Sequence, residues 1–228
     1  WHLNTLGCYR SDSVPKIQLI TVNPSLNLWY TVIDNLIGNT VGSLNQAQKS
    51  ILIGSLLGDG SLRLAKGKRN ALFEVNHGIA QSEYVDWKYK LLKLFVLTCP
   101  KARKGNGRRI AYRFTTRSLP IFTRLYKYFY RENKKLIPDG LILDPLVLAV
   151  WFMDDGSKSR SSIYLNTQQF SIYDQERLLE MLASQFNLIG RLNKDKKYFR
   201  IRITTESTVR FKEIIKPYVL KLFNYKLE

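Results

Sequence analysis

The sequence predicts an α+β fold of two pseudo-symmetric halves, each running α-β-β-α-β-β-α, on three observations. Two apolar runs, ILIGSLLGDG (51–60) and LVLAVWFMDDG (146–156), end alike in an acidic residue followed by glycine. A second stretch, YRFTTRSLPIFTRLYKYF (112–129), aligns without gaps on IRITTESTVRFKEIIKPY (201–218). That alignment sets Arg113 on Arg202, Thr115 and Thr116 on Thr204 and Thr205, Ser118 on Ser207 and Phe122 on Phe211. Third, the order of local signals around these stretches is the same in both halves.

Taken in order, the first helix is expected to open on a capping box of Ser43 and Gln46 and to stop at Asp59-Gly60, where glycine would adopt a left-handed cap. Two strand-like stretches follow, SLRLA (61–65) and ALFEVNH (71–77), then a helix from near Ser82, the basic strand RRIAYRFTT (108–116) and a closing helix. In the second half Asp144 serves as N-cap with Pro145 at the first helical position, and Asp155-Gly156 forms the stop. SSIYLNTQ (161–168), a helix from near Ser171 with Asp174 three residues on, the strand KKYFRIRITT (196–205) and a last helix complete it. The halves are placed at 44–137 and 138–228. Residues 1–43 have no counterpart in either and are read as an N-terminal extension of unknown role.

The net charge is +18, from 36 Lys+Arg against 18 Asp+Glu. Arg10 and Lys16 balance Asp12 and Asp34 in residues 1–43, so the entire excess lies in the two halves. Such a charge repels itself and points to a polyanionic partner, nucleic acid before anionic membrane. A membrane-surface role lacks the amphipathic basic helix it needs, and no segment offers about 20 uninterrupted apolar residues for a span. Cys8 and Cys99 are the only cysteines, which excludes a disulfide framework and a cysteine-rich zinc site. The chain opens at Trp1 without a methionine or a visible signal peptide, which leaves localisation open on these grounds.

Strand side chains alternate between faces. In the first basic strand Ile110, Tyr112 and Phe114 oppose Arg109, Arg113 and Thr115; in the second Phe199, Ile201 and Ile203 oppose Arg200, Arg202 and Thr204. Each sheet is therefore expected to be apolar towards helices and cationic on its open side, the chemistry that phosphates and base edges require. Residues 99–135 carry 12 Lys+Arg and one acid, Glu132, whereas an ordinary solvated face mixes signs. Arg63, Arg117, Asn166 and Gln168 join the candidate DNA contacts.

A carboxylate before glycine at a helix end is by itself usually only a cap. Two at matched ends, each at the unfavourable pole of a helix dipole, call for a compensating cation, and Mg2+ suits a few carboxylates with phosphate oxygens and water. At these residues the chain resembles the LAGLIDADG homing endonucleases in their single-chain, two-motif form. The motifs stand as LIGSLLGDG (52–60) and LAVWFMDDG (148–156), and LNTQ (165–168), IKPY (215–218) and YKL (225–227) resemble the subgroup encoded in introns of organellar ribosomal RNA genes.

The resemblance, which covers about residues 44–228, implies motif helices packed at the centre between two antiparallel sheets that form a DNA-binding saddle. It makes Asp59 and Asp155 the metal-binding acids, with Gly58 and Asp154 at the preceding positions and the Asp154 carboxylate the weaker candidate. Gly54 and Gly58 suit a close helix contact, against Val150 and Asp154 in the second motif. Lys135 and Lys226 become the lysines near the scissile phosphates, and His77 or Asn76, with Asn166 to Gln168, the groups that order water. The implied activity is Mg2+-dependent hydrolysis of one phosphodiester per strand of a long, non-palindromic duplex, leaving 3′ overhangs. Two or three ions are shared, Mn2+ can substitute, and the protein is a monomer in an organelle. An intron maturase acting on intron RNA, or a binding protein without nuclease activity, would share the fold; retention of both acids and both lysines favours the enzyme.

Overall fold

Asn45, not the Ser43–Gln46 pair, opens the first helix. In this computed structural model, which describes residues 44–228 apart from 65, 66, 68, 106 and 108, the Asn45 side chain accepts from the Gln48 main chain and the Gln48 side chain accepts from Asn45 N, completing a capping box over α1 (Gln46–Leu57). Gln46 points elsewhere, its amide donating to Asp144 Oδ2. The sequence expectations for Ser43 and for residues 1–43 lie outside the described residues.

The described elements run in the expected order. After α1 come β1 (Ser61–Leu64), β2 (Ala71–Gly78), α2 (Ser82–Leu92), β3 (Lys101–Lys104), β4 (Ile110–Thr115) and α3 (Pro120–Phe129). A short hairpin, β5 (Tyr130–Arg131) with β6 (Lys134–Lys135), leads on to α4 (Pro145–Asp155). Then β7 (Gly156–Ser159), β8 (Ser162–Leu165), α5 (Ile172–Phe186), β9 (Gly190–Asp195), β10 (Tyr198–Ile203) and α6 (Thr205–Ile215) repeat the plan. Both four-stranded sheets are antiparallel and share one topology, β1-β2-β4-β3 and β7-β8-β10-β9.

Capping explains several boundaries. Asp144 accepts from Val147 N ahead of Pro145, and the Ser171 hydroxyl accepts from Asp174 N, as the sequence indicates. The helix stops differ from expectation. Neither Gly60 nor Gly156 is left-handed; positive φ among the described glycines occurs at Gly67, Gly107 and Gly140. What demands glycine is space, since a Cβ on Gly156 would lie 2.1 Å from the Phe152 ring and one on Gly60 2.7 Å from Ser55 Cβ.

The core is built on α1 and α4, which pack against each other. Ile51, Leu52, Val147, Leu148, Val150 and Trp151 are all fully buried. A helix apolar on every side has to be covered on every side, which the two sheets and their outer helices accomplish. The helices meet closely at the glycines: a Cβ on Gly54 would lie 2.7 Å from both Val147 O and Val150 Cβ, and one on Gly58 2.4 Å from Asp154 Cβ. The bulk of Val150 and Asp154 thus sits on the two glycines of the facing helix, an asymmetric contact as the motif difference implies. Along the strands, Phe114, Ile201 and Ile203 are buried as expected, but Ile110 is 46 % exposed, at the tip of the β3–β4 hairpin where its partner Lys104 is exposed too.

Candidate active site

Because α1 and α4 run side by side, their carboxyl ends emerge together, and Asp59 and Asp155 line one cleft of about 460 Å3 with Gly58, Ser61, Lys135, Asn166, Gln168 and Gln169. Burial pushes the Asp155 carboxyl up to about 7, with Asp59 and Asp154 adding to the effect and Lys135 and Lys226 opposing it. Asp59 is also raised, by burial and then by Asp154, while Lys88, Lys135 and Lys226 pull it back. The cleft therefore concentrates negative charge, with Asp155 partly desolvated and the Asp59 side chain about half exposed.

The two lysines singled out in the sequence are each tied to one helix end, and Lys135 also lines the cleft. Lys135 Nζ donates to Gly58 O at 2.9 Å, and Lys226 Nζ donates to Met153 O at 2.9 Å. Cations at helix carboxyl termini offset the dipole, so part of the compensation that the sequence suggested for a metal is supplied by the chain. Burial lowers both, Lys135 to about 8. Gln169 from the second half also caps α1, its amide donating to Leu57 O at 3.2 Å.

Asp154 is a correction. Its carboxylate is wholly buried and accepts two hydrogen bonds from Lys88 Nζ, at 2.8 and 3.0 Å, and one from Tyr84 Oη at 2.7 Å. Committed to a buried cation, that carboxylate is not among the groups that line the cleft. Gly58 has only its carbonyl to offer, and that already accepts from Lys135. His77 lies between the carboxylates, Nδ1 3.6 Å from Asp59 Oδ2 and Nε2 3.7 Å from Asp154 Oδ1. Burial, then the nearby Lys88, depress this histidine to about 4. Sequence reasoning missed Lys88 and Tyr84. The available signal was their i,i+4 spacing, with Lys88 occupying a core position in the Tyr84, Val85, Lys88, Leu92 stripe of α2.

The candidate DNA contacts divide. On the first sheet Arg63 and Arg113 both approach Glu74, at 3.5 and 3.8 Å, and Arg109 is exposed at the β3–β4 turn; Glu74 was not anticipated. Thr115 is half-buried at the end of β4. On the second sheet Arg200 stacks over the Tyr164 ring at 4.3 Å and donates to Asn166 Oδ1, while Arg202 donates twice to Ser162 Oγ. Gln168 donates to Asp195 Oδ2 at the cleft. Two candidates lie off the strands. Arg117 lies beyond β4 and donates to Leu94 O just after α2, away from the open face. Thr204 is the N-cap position of α6, and its hydroxyl is buried without a partner.

Two cationic sheets flanking a pair of helices that deliver carboxylates to one cleft define the architecture of a saddle-shaped nuclease. Comparison with known proteins agrees: residues 49–211 match the LAGLIDADG DNA endonuclease family, and the chain belongs to that family. It is 30 % identical over 200 residues to the probable intron-encoded endonuclease 1 of Wickerhamomyces canadensis, covering 81 % of this chain and 85 % of that protein. It is 30 % identical over 208 residues to the cytochrome b mRNA maturase bI2 of Saccharomyces cerevisiae, covering 83 % of this chain and 49 % of the maturase, about half its length. Among solved structures, the homing endonuclease I-WcaI bound to its DNA recognition sequence superposes with a TM-score of 0.76 at 26 % identity, covering 92 % of this chain and 96 % of that one. Among the described residues no helix is long and apolar enough to cross a membrane.

Proposed function

We propose that the protein is a site-specific double-strand DNA endonuclease dependent on a divalent cation, acting as a monomer on a long asymmetric duplex. The observation that carries this reading is the convergence of Asp59 and Asp155 on one cleft, at the adjoining ends of α1 and α4. Two carboxylates converging on one cleft, both raised above the ordinary carboxylate range by desolvation and by neighbouring carboxylates, fit a hard cation shared with phosphate oxygens. Among the described residues there is no cluster of three or more acidic, histidine or cysteine side chains suited to an ion, which agrees with a metal completed by substrate rather than caged by protein. Asp59 and Asp155 would hold Mg2+, which supplies charge neutralisation at the phosphate and at the departing 3′ oxygen.

The protein's own groups do the rest. The rigid contact of α1 on α4 fixes the separation of the two acids. Lys135 and Lys226, held by helix-end carbonyls, present positive charge where charge develops on the phosphates. Asn166 and Gln168, at the cleft and hydrogen-bonded to Arg200 and Asp195, are placed to order water and bases. Incubation of the protein with a plasmid carrying its intron-insertion sequence in Mg2+ tests the proposal; linear product with 3′ overhangs is expected, and intact plasmid at every divalent cation overturns it.

The maturase among the relatives favours a second reading, in which intron RNA is a further partner of the same fold and the source is an organellar intron. A splicing assay separates the two: assistance that survives Asp59→Asn together with Asp155→Asn would belong to a surface other than the cleft.

A further inference from the structure

A lysine, a carboxylate, a tyrosine hydroxyl and an imidazole are buried together behind Asp59, where an apolar cluster would be simpler. Lys88 and Asp154 have fully buried side chains, Tyr84 is fully buried, and His77 is 3 % exposed. Such a group is costly to desolvate and is weak evidence of stabilisation. Its direction is informative. Lys88 and Tyr84 fix the Asp154 carboxylate, Asp154 faces one nitrogen of His77, and the other nitrogen faces Asp59. The two histidine distances exceed a hydrogen bond, so the ring stands between the carboxylates, within a small movement of either.

Among the described residues the arrangement exists on one side only. In the strand registers, His77 opposite Tyr112 corresponds to Leu165 opposite Ile201, and Leu165 is fully buried. Asp154 corresponds to Gly58, which has no side chain, and Lys88 to Arg177, which binds Ile137 O, Pro138 O and Asp139 instead. Asp155 therefore has no equivalent support. We propose that Lys88, acting through Asp154 and His77, is a positioning residue for Asp59 alone, so that the two strands of the substrate are cut by unequal halves of the site. The strand asymmetry rests on the nuclease reading; the link from Lys88 to Asp59 does not.

The test uses His77→Leu, which installs the residue found at the matching position, and the pair Lys88→Met with Asp154→Asn, which removes the buried charges together so that neither is left alone. With each strand of the duplex labelled separately, one strand should be cut about 10-fold more slowly and the other should be slowed markedly less, with nicked DNA accumulating. Combining all three changes should give no further loss, because they interrupt one chain of contacts. Equal slowing of both strands, or losses that multiply, would overturn the proposal. The second arm needs no DNA: with only two histidines in the chain, the ring nitrogens of His77 can be followed by NMR. They should shift on Asp59→Asn and on Lys88→Met/Asp154→Asn. Unchanged signals refute the network, whereas shifted signals in a protein that never cuts DNA refute the nuclease reading and leave the network standing.

Discussion

Asp155 sits where burial, Asp59 and Asp154 all disfavour its charge, and its carboxyl is pushed up to about 7 against 3.8 for the free side chain. The folded protein thus holds a proton that the unfolded chain has lost, and its stability falls as pH rises from about 4 to 7. At pH 8 the penalty is at most about 4 kcal/mol. Asp155→Asn should raise the urea midpoint at pH 8 while lowering cleavage at least about 100-fold, with DNA binding in Ca2+ retained; undiminished cutting would show that this carboxylate is no metal ligand. His77 works in the opposite direction. Its folded value of about 4 lies below the 6.5 of an unfolded histidine, so the neutral ring contributes stability in full above pH 6.5, loses it as pH falls and contributes none below about 4, a swing of about 3 kcal/mol. His77→Leu should flatten the acid side of the thermal stability profile, and superimposable profiles would sink that assignment. Asp59 and Asp155 could be picked out in the sequence because they end matched motifs, and Lys135 and Lys226 because the resemblance implies a lysine in each half. Lys88 showed in the sequence only as a lysine in the apolar stripe of α2, and its role becomes legible only when its carboxylate partner, 66 residues away, is brought to it.

The paired helices set how far apart the two acids stand, and the contact leaves almost no slack. A methyl group at Gly54 would lie 2.7 Å from Val147 O, a main-chain atom that cannot rotate away. Gly54→Ala should cost about 1–3 kcal/mol through overpacking and should impair cleavage beyond its effect on DNA affinity, since α4 must shift and carry Asp155 with it. The comparison is the thermal midpoint and the cutting rate of bound DNA; a folded variant that cuts at the parental rate would mean the helix spacing is not catalytically important. The same geometry explains which element boundaries were legible. Asp144, Pro145 and Ser171 satisfy local main-chain donors or local torsions, and local chemistry is visible in sequence. Gly60 and Gly156 answer to nearby atoms in the folded helix end, so the glycines were recognisable while their purpose was not. Arg117 and Thr204 lie past strands that end at Thr115 and Ile203, where the chain turns into helices and strand alternation no longer says which way a side chain faces.

At the scale of the molecule, the charge of +18 belongs to two halves whose sheets are alike in topology and unlike in surface. The first sheet holds Glu74 between Arg63 and Arg113, which lowers its field and fixes the orientation of both guanidinium groups. On the second, among the described residues, Arg200 and Arg202 form no ion pair and are held by Asn166, Tyr164 and Ser162. Two such surfaces should prefer different half-sites, and selection from a random duplex library should return a non-palindromic sequence bound by one protein molecule. If about 8 phosphates are neutralised, log affinity should fall with log salt at a slope near −7. Glu74 separates charge from readout within that behaviour. Glu74→Gln removes a negative charge from a phosphate-facing sheet and frees two arginines, so affinity for unrelated DNA should rise while preference for the cognate first half-site falls. Steepening of the salt slope should accompany it, because released arginines become available to phosphates. Measuring the parent and the variant on cognate, half-site-scrambled and unrelated duplexes across one salt series decides the matter. Should the variant bind all three more weakly, Glu74 would be a stabiliser of the sheet, and the difference between the half-sites would have to come from elsewhere on the saddle.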